Sequence, residues 1–322
     1  MPPDIDASDP ALPVWARPAT AVDSGAAGDE NRVVGEVMKK GEIPKIRRVV
    51  TNVTLPVTVV DERQHPVANL KSTDFTVFEN DQAQEIIKFN REDVPVSIGV
   101  LVDNSGSMRE KRQKVSIAVL NLIKASNPND EVFIVNFSDD AYLDQDFTRD
   151  LNLMHEALER LDSRGGTALY DGVIAASDHL AKAAKRDKRV LLVVTDGEDN
   201  ESRNSLEQAI RAVQDENGPM IYTIGILGLE GKQHRAKRAL EALSLQTGGV
   251  AFFPRNLEEV DAISQAVARD IRNQYSLTYK PSEQPTGYRR IKVVVRHSNS
   301  DLRARTKSGY FVSEQNTSAT NK

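Results

Sequence analysis

The chain contains no cysteine. That absence removes disulfides, zinc–thiolate centres, iron–sulfur clusters and thiol catalysis together. No apolar run approaches the ~20 residues needed to cross a bilayer. A formal net charge of −5 over 322 residues gives no global pull towards nucleic acid. The opening stretch "MPPDIDASDPALPVWARP" lacks the basic segment and following apolar stretch of a signal peptide. A cytoplasmic address and the mature or trimmed start of an exported protein therefore both stay open. No internal repeat is evident. What remains, at 39% hydrophobic and 28% charged residues, is the composition of a soluble globular chain, long enough for one large domain or two ordinary ones.

Residues 1–47 are rich in Pro, Ala, Asp and Gly without periodicity and read as a disordered arm, as does the tail 313–322. From residue 48 the pattern changes. Val53, Leu55, Val57 and Val59 alternate with polar or small partners, the mark of a half-buried strand. "DFTVFEN" and "QEIIKFN" read as a hairpin closed at Asn80-Asp81. Residues 48–93 thus hold short strands, too few for a stable β domain alone.

Between 94 and 273, apolar strand candidates at 97–102, 131–137, 190–195, 220–227 and 250–253 alternate with amphipathic helices. Val115, Ala118, Val119, Leu122 and Ile123 form one helical stripe, and Leu206, Ala209, Ile210 and Val213 form a second. Leu257, Val260, Ile263, Val267 and Ile271 mark a last helix. Near-continuous apolar strands alternating with such helices predict a doubly wound α/β domain with a mostly parallel sheet, and "DDAYLDQDF" an antiparallel edge hairpin. Strands return at 274–312, where Ile291, Val293 and Val295 oppose Arg290, Lys292 and Arg296. The two strand-rich flanks lack partners nearby in sequence. The economical arrangement is one β-sandwich-like domain built from both ends, with the α/β domain inserted in it.

Open α/β sheets bind ligands at the carboxyl ends of their strands. There the chain places Asp103, Ser105 and Ser107 in "VDNSGSM", Thr167 in "SRGGTALYDGV", and Asp196 in "VVTDGEDN". Two carboxylates and three hydroxyls make an all-oxygen set suited to a hard divalent cation such as Mg²⁺ or Mn²⁺. With so little anionic charge around it, such an ion would stay electrophilic towards an outside carboxylate.

Asp103-x-Ser105-x-Ser107, then Thr167, then Asp196, resembles the metal-ion-dependent adhesion site of von Willebrand factor A (VWA) domains, with the likeness running over about 94–273. "LSLQTGGVAFFP" also sits where that family has such a segment. The flanks, "VTVVDERQHPVANLKSTDFTVFEND" and "YKP…RRIKVVVR…ARTKSGYF", are similar to the acidobacterial-type VWFA-related proteins of bacteria. That resemblance implies a Rossmann-like VWA domain within a β domain, and an exported, extracytoplasmic protein. It implies a non-catalytic adhesion or scaffold module that captures an Asp or Glu of a protein partner. Ser105, Ser107 and Thr167 would bind Mg²⁺, Mn²⁺ or Ca²⁺, with Asp103 and Asp196 binding directly or through water.

Plainer roles stand beside these. Asp103 and Ser105 suit a helix cap, Asp171 the dipole of its helix, Glu198 and Asp199 a solvated loop, and Asp139 and Asp140 a hairpin turn. His65, His155, His179, His234 and His297 share no ligand or triad spacing. The basic residues Arg290, Lys292, Arg296, Arg303, Arg305 and Lys307 read as a solvated sheet face rather than a polymer-binding row. Two rival functions stay open. A magnesium-dependent phosphohydrolase of haloacid-dehalogenase type also has an Asp after its first strand, but it needs a second acid where Ser105 stands. A structural VWA domain with an unused site is the other. No Walker lysine, dinucleotide glycine pattern or Gly-x-Ser-x-Gly elbow follows the strand.

Overall fold

The computed structural model describes residues 52–91, 93–160, 165–227, 234–281, 287–297 and 301–312. The expected arm at 1–47 and tail at 313–322 lie outside the described residues. In chain order the first strands are β1 (Val53–Val60), β2 (Phe75–Glu79), β3 (Gln82–Gln84) and β4 (Ile86–Asn90). An alternating stretch follows: β5 (Val96–Asp103), α1 (Arg112–Lys124), β6 (Glu131–Phe137), β7 (Ala141–Thr148), α2 (Leu151–Glu159) and α3 (Leu169–Ala183). It continues through β8 (Lys188–Thr195), α4 (Leu206–Val213), β9 (Met220–Gly225), α5 (His234–Thr247), β10 (Ala251–Phe252) and α6 (Glu259–Arg272). The chain then forms β11 (Gln274–Tyr279), β12 (Gly287–Val295), β13 (Arg303–Arg305) and β14 (Gly309–Val312).

The alternating stretch folds as one sheet in the order β10-β9-β8-β5-β6-β7. Its strands are parallel except β7, which runs antiparallel to β6 at the edge. Every residue of β5 is buried, as a strand must be when helices cover both faces. Ile98, Val100 and Val102 meet Val115, Val119 and Leu122 of α1 and Val260, Val267 and Ile271 of α6 in one core. Each such fully buried aliphatic contributes ~1.5–3 kcal/mol. On the other face a Cβ added at Gly172 of α3 would lie 3.5 Å from Leu101, and the Phe133 ring meets His179 of α3 edge-on. α5 covers β9 on that side: a Cβ at Gly225 would lie 2.8 Å from Leu240. The fold is doubly wound α/β.

Strands from the two flanks share sheets. β1 lies between β13 and β11, with β4 beyond β11, and the other sheet runs β14-β12-β2-β3. Leu55 sits opposite Leu277 and Val57 opposite Tyr275. The inner faces meet in a core that includes Val53, Leu55, Val59, Phe75, Val77, Leu277, Ile291 and Tyr310. Asn80 and Asp81 do form the hairpin turn, both with positive φ (49° and 66°), the twist-matched form of a two-residue turn. Its returning strand, however, is Gln82–Gln84 alone. Ile86–Asn90 leaves for the other sheet and pairs with β11, where Phe89 stacks on Tyr275 and Phe75 lies 5.6 Å away. Burying two aromatic faces there outweighs continuing a solvent-exposed hairpin.

The basic row also divides. Arg290 and Lys292 are exposed, with Arg290 paired to Asp81. Arg305 pairs with Asp270 of α6, and Lys307 is buried, donating to the carbonyls of Asp215 (3.2 Å) and Glu216 (2.5 Å). Burial pushes the Lys307 ammonium down to about 8. These two cations fasten strands rather than solvate a face.

Candidate metal centre

β5 and β8 run parallel with Val102 beside Val194. Asp103, ending β5, and Thr195, ending β8, therefore emerge at the same carboxyl edge, with Asp196 one residue on. Thr167 reaches that edge from the turn before α3. The Gly166 amide donates to Asp139 Oδ1 (2.5 Å), the Thr167 amide donates to Asn200 Oδ1 (2.9 Å), and the Asn200 amide donates back to the Thr167 carbonyl (3.0 Å). Gly165 takes a left-handed φ of 81° here, where a Cβ would lie 2.7 Å from the Asp139 carboxylate. Asp139 is thus a brace for the Thr167 loop, not merely part of a hairpin turn.

The side chains form a connected set. Ser105 Oγ lies 3.1 Å from Ser107 Oγ, and Ser107 Oγ donates to Asp196 Oδ1 at 2.8 Å. Asp103 accepts the Ser105 amide on Oδ1 (2.8 Å) and the Thr195 hydroxyl on Oδ2 (2.5 Å). A Cβ added at Gly197 would stand 3.3 Å from Thr167 Oγ1 and 4.0 Å from Asp103 Oδ2, so both line one space. Asp103, Ser105, Thr167 and Asp196 are buried, while Ser107 is exposed at the mouth. Burial pushes the Asp103 carboxyl up, against the hydrogen bonds from Thr195 and Ser105, and the neighbouring Asp196 charge pushes the same way.

Capping does not account for these residues. Ser105 precedes the short 3-10 turn Gly106–Met108 without a capping side-chain bond, and α1 begins beyond Lys111. A hard cation fits the donor set better. Adjacent oxygens around an octahedral Mg²⁺ lie about 2.9 Å apart, close to the spacings of Ser105 to Ser107 and of Ser107 to Asp196. Two buried carboxylates also call for positive charge, and the Lys111 ammonium pairs with Asp196 Oδ2. Among the described residues no three His, Asp or Glu side chains are grouped to hold a metal. Any ion here would depend on the hydroxyls.

Residues 98–198 match the family model described as von Willebrand factor type A domain. That span opens in β5 and closes two residues after Asp196, so it contains all five oxygen donors. The chain carries a von Willebrand factor type A domain. A curated relative, the uncharacterized protein sll0103 of Synechocystis sp. (strain ATCC 27184 / PCC 6803 / Kazusa), is 24% identical over 169 residues, covering 52% of this chain. The match spans 39% of that relative's length. Among solved structures, von Willebrand factor type A from Catenulispora acidiphila is similar at 12% identity, covering 81% of this chain and 73% of its own, with a TM-score of 0.48. The vWF domain of the type V pili tip protein Mfa5 from Porphyromonas gingivalis is similar at 14% identity, 56% and 95% coverage, and a TM-score of 0.47. The PilB minor pilin from Streptococcus sanguinis gives 16%, 57%, 63% and 0.46 in the same order.

Around the A domain's oxygen set, the loop after β8 is braced rather than free. Asp171 of α3 accepts the amides of Arg203 (3.0 Å) and Asn204 (3.1 Å). Burial alone would raise its pKa, but these bonds carry it below the usual carboxylate range. Asp199 accepts the Tyr170 amide (3.1 Å) and the Ser202 hydroxyl (2.5 Å), so it shapes the loop, and Glu198 sits 3.7 Å from Arg235. The histidines stay scattered: His179 is held by Asp146 (2.9 Å) and stacked on Phe147. Sequence reading passed over Lys111, Thr195 and Asn200, and gave Asp139 only a place in a hairpin turn. Only Thr195 left a trace, as a polar end to the apolar run "VLLVV".

Proposed function

We propose that this chain is a non-catalytic protein-binding module of the adhesion or scaffold kind. Asp103, Ser105, Ser107, Thr167 and Asp196 would hold a divalent cation, Mg²⁺ or Mn²⁺ before Ca²⁺. When bound, the ion would supply an electrophilic position for an anionic oxygen, and the partner would be a protein offering an Asp or Glu side chain. The observation that carries this reading is the run Ser105–Ser107–Asp196, backed by Asp103 and Thr167 and open to solvent only at Ser107. Both Asp103 oxygens are engaged by Ser105 and Thr195. That supports a holding role over the nucleophilic one a phosphohydrolase would require. Resemblance to exported bacterial relatives makes an extracytoplasmic address part of the same reading. Among the described residues no helix is long and apolar enough to cross a membrane.

A second reading, an A domain whose site is formed but unused, has one observation in its favour: Lys111 already neutralises Asp196. Calorimetric titration of the metal-stripped chain with Mn²⁺ and Mg²⁺ separates the two. Saturable binding at one site, lost in Ser105→Ala and Asp196→Ala, is expected. No binding in the unaltered chain would leave the structural reading. Turnover of a generic phosphate ester with Mg²⁺, abolished by Asp103→Ala, would overturn the non-catalytic assignment.

A further inference from the structure

Lys111 is the least expected member of the site. Its backbone is fixed: the amide donates to the Met108 carbonyl (2.9 Å) and its carbonyl accepts from Val115 (3.1 Å), at the entry to α1. Only the side chain is free to move. It reaches inward to Asp196, whose side chain is 1% exposed, while its own stays 29% exposed. The stem thus lies along the mouth of the site with a route to water, and the ammonium occupies the charge position that a metal ion would need. An ammonium and a dication cannot both sit on one small carboxylate without strong mutual repulsion at contact distance.

We propose that Lys111 is an exchangeable counter-ion: it occupies Asp196 when no metal is present, and a divalent cation must expel it to bind. The inference rests on the metal reading above and adds a residue and a consequence to it. The carboxylates of Asp103 and Asp196 and the Lys111 ammonium paired with Asp196 then sum to a net negative charge, which repels an incoming carboxylate. Once the dication is in and the ammonium is out, the same groups sum to a net positive charge. The expelled ammonium then stands beside the ion as a second contact for the acidic partner. Metal binding would thereby switch the sign of the surface as well as fill a coordination site.

Two measurements test this. In the full chain, acetylation of Lys111 by an amine-reactive reagent is followed by peptide mass spectrometry with and without saturating Mn²⁺. Lys114, paired with Glu258 at the surface, serves as internal reference. Lys111 should label several-fold faster with Mn²⁺ while Lys114 is unchanged. Calorimetry on Lys111→Met should show Mn²⁺ affinity raised about tenfold, since no internal cation has to leave. Mn²⁺ binding with unchanged labelling and equal affinity overturns the exchange and leaves the metal site standing. Binding in Lys111→Met alone makes Lys111 a permanent occupant and also overturns exchange. Absence of binding in both chains overturns the metal reading and this inference with it. The labelling arm uses the unaltered protein, so poor folding of the variant does not remove the test.

Discussion

Thr195 donates its hydroxyl to Asp103 Oδ2 at 2.5 Å, joining the last residues of two adjacent parallel strands. The bond fixes the rotation of the Asp103 carboxylate, whose other oxygen is held by the Ser105 amide. It therefore holds the Asp103 carboxylate in one orientation within the oxygen set, which on the proposed reading would preorganise it for an ion. Thr195→Val keeps shape and strand preference but leaves a buried carboxylate oxygen without that donor. Stability should fall by about 1–3 kcal/mol, read from urea unfolding, and Mn²⁺ affinity by roughly tenfold, read by calorimetry. Unchanged Mn²⁺ affinity would show that Asp103 needs no such support.

Gly99 in the middle of β5 admits no side chain. A Cβ there would lie 2.5 Å from Phe133 Cζ and 2.9 Å from Leu191 Cδ1. Phe133 has little room to retreat, because its ring meets Phe147 and His179 at 4.9 and 4.7 Å. Gly99→Ala should cost about 1–3 kcal/mol through overpacking. Adding Phe133→Leu should recover part of it. Thermal unfolding of the single and double variants checks both statements.

Glu79 lies fully buried between the two β sheets' residues, accepting from Tyr279 (2.7 Å) and Tyr310 (2.9 Å) and pairing with Arg289 at 3.2 Å. Glu79→Ala removes the carboxylate from a buried guanidinium and should cost about 3–5 kcal/mol, with unfolding at lower urea. Burial, then the Tyr310 phenol and Glu79, hold Tyr279 far above the ordinary tyrosine range, and burial raises Tyr310 against the hydrogen bond from Tyr279. In an alkaline titration followed by tyrosinate absorbance, these two should ionise only when the protein unfolds.

Asp144 on β7 accepts from Asn136 Nδ2 at 2.7 Å, yet burial still pushes its carboxyl up to about 6. The folded state therefore holds this proton more tightly than the unfolded chain, whose value is 3.8. Its stabilising contribution is complete below pH 3.8 and lost as pH rises through about 6. Asp144→Asn removes that dependence. The variant should be more stable than the parent at pH 7, by about 1 kcal/mol, with the gain shrinking towards pH 4. A constant difference across the range would remove Asp144 from the account.

Much of the A domain was legible because its signals are local. β6 spans the 131–137 predicted from its apolar run, and Val115, Ala118, Val119, Leu122 and Ile123 are all buried on α1. The five oxygen donors also stood out, since each follows a strand or opens a helix within a few residues. What stayed hidden depends on partners far away in sequence. The departure of Ile86–Asn90 from its hairpin is decided by Tyr275. Arg289 looks like its exposed neighbour Arg290, but it is buried against the carboxylate of Glu79, 210 residues away, and over the ring of Tyr310.

By itself the sequence determined the alternation of strand and helix, the face each stripe turns inward, and which oxygen-bearing residues end the strands. Those follow from the periods of the backbone, which are local. Tertiary structure alone decided which strands of the two flanks pair and which amides brace Thr167. It also decided that Lys111 is the cation resting on Asp196. Hydrogen-bond and charge satisfaction in a buried place is a property of whatever else is brought there, and no local pattern encodes it.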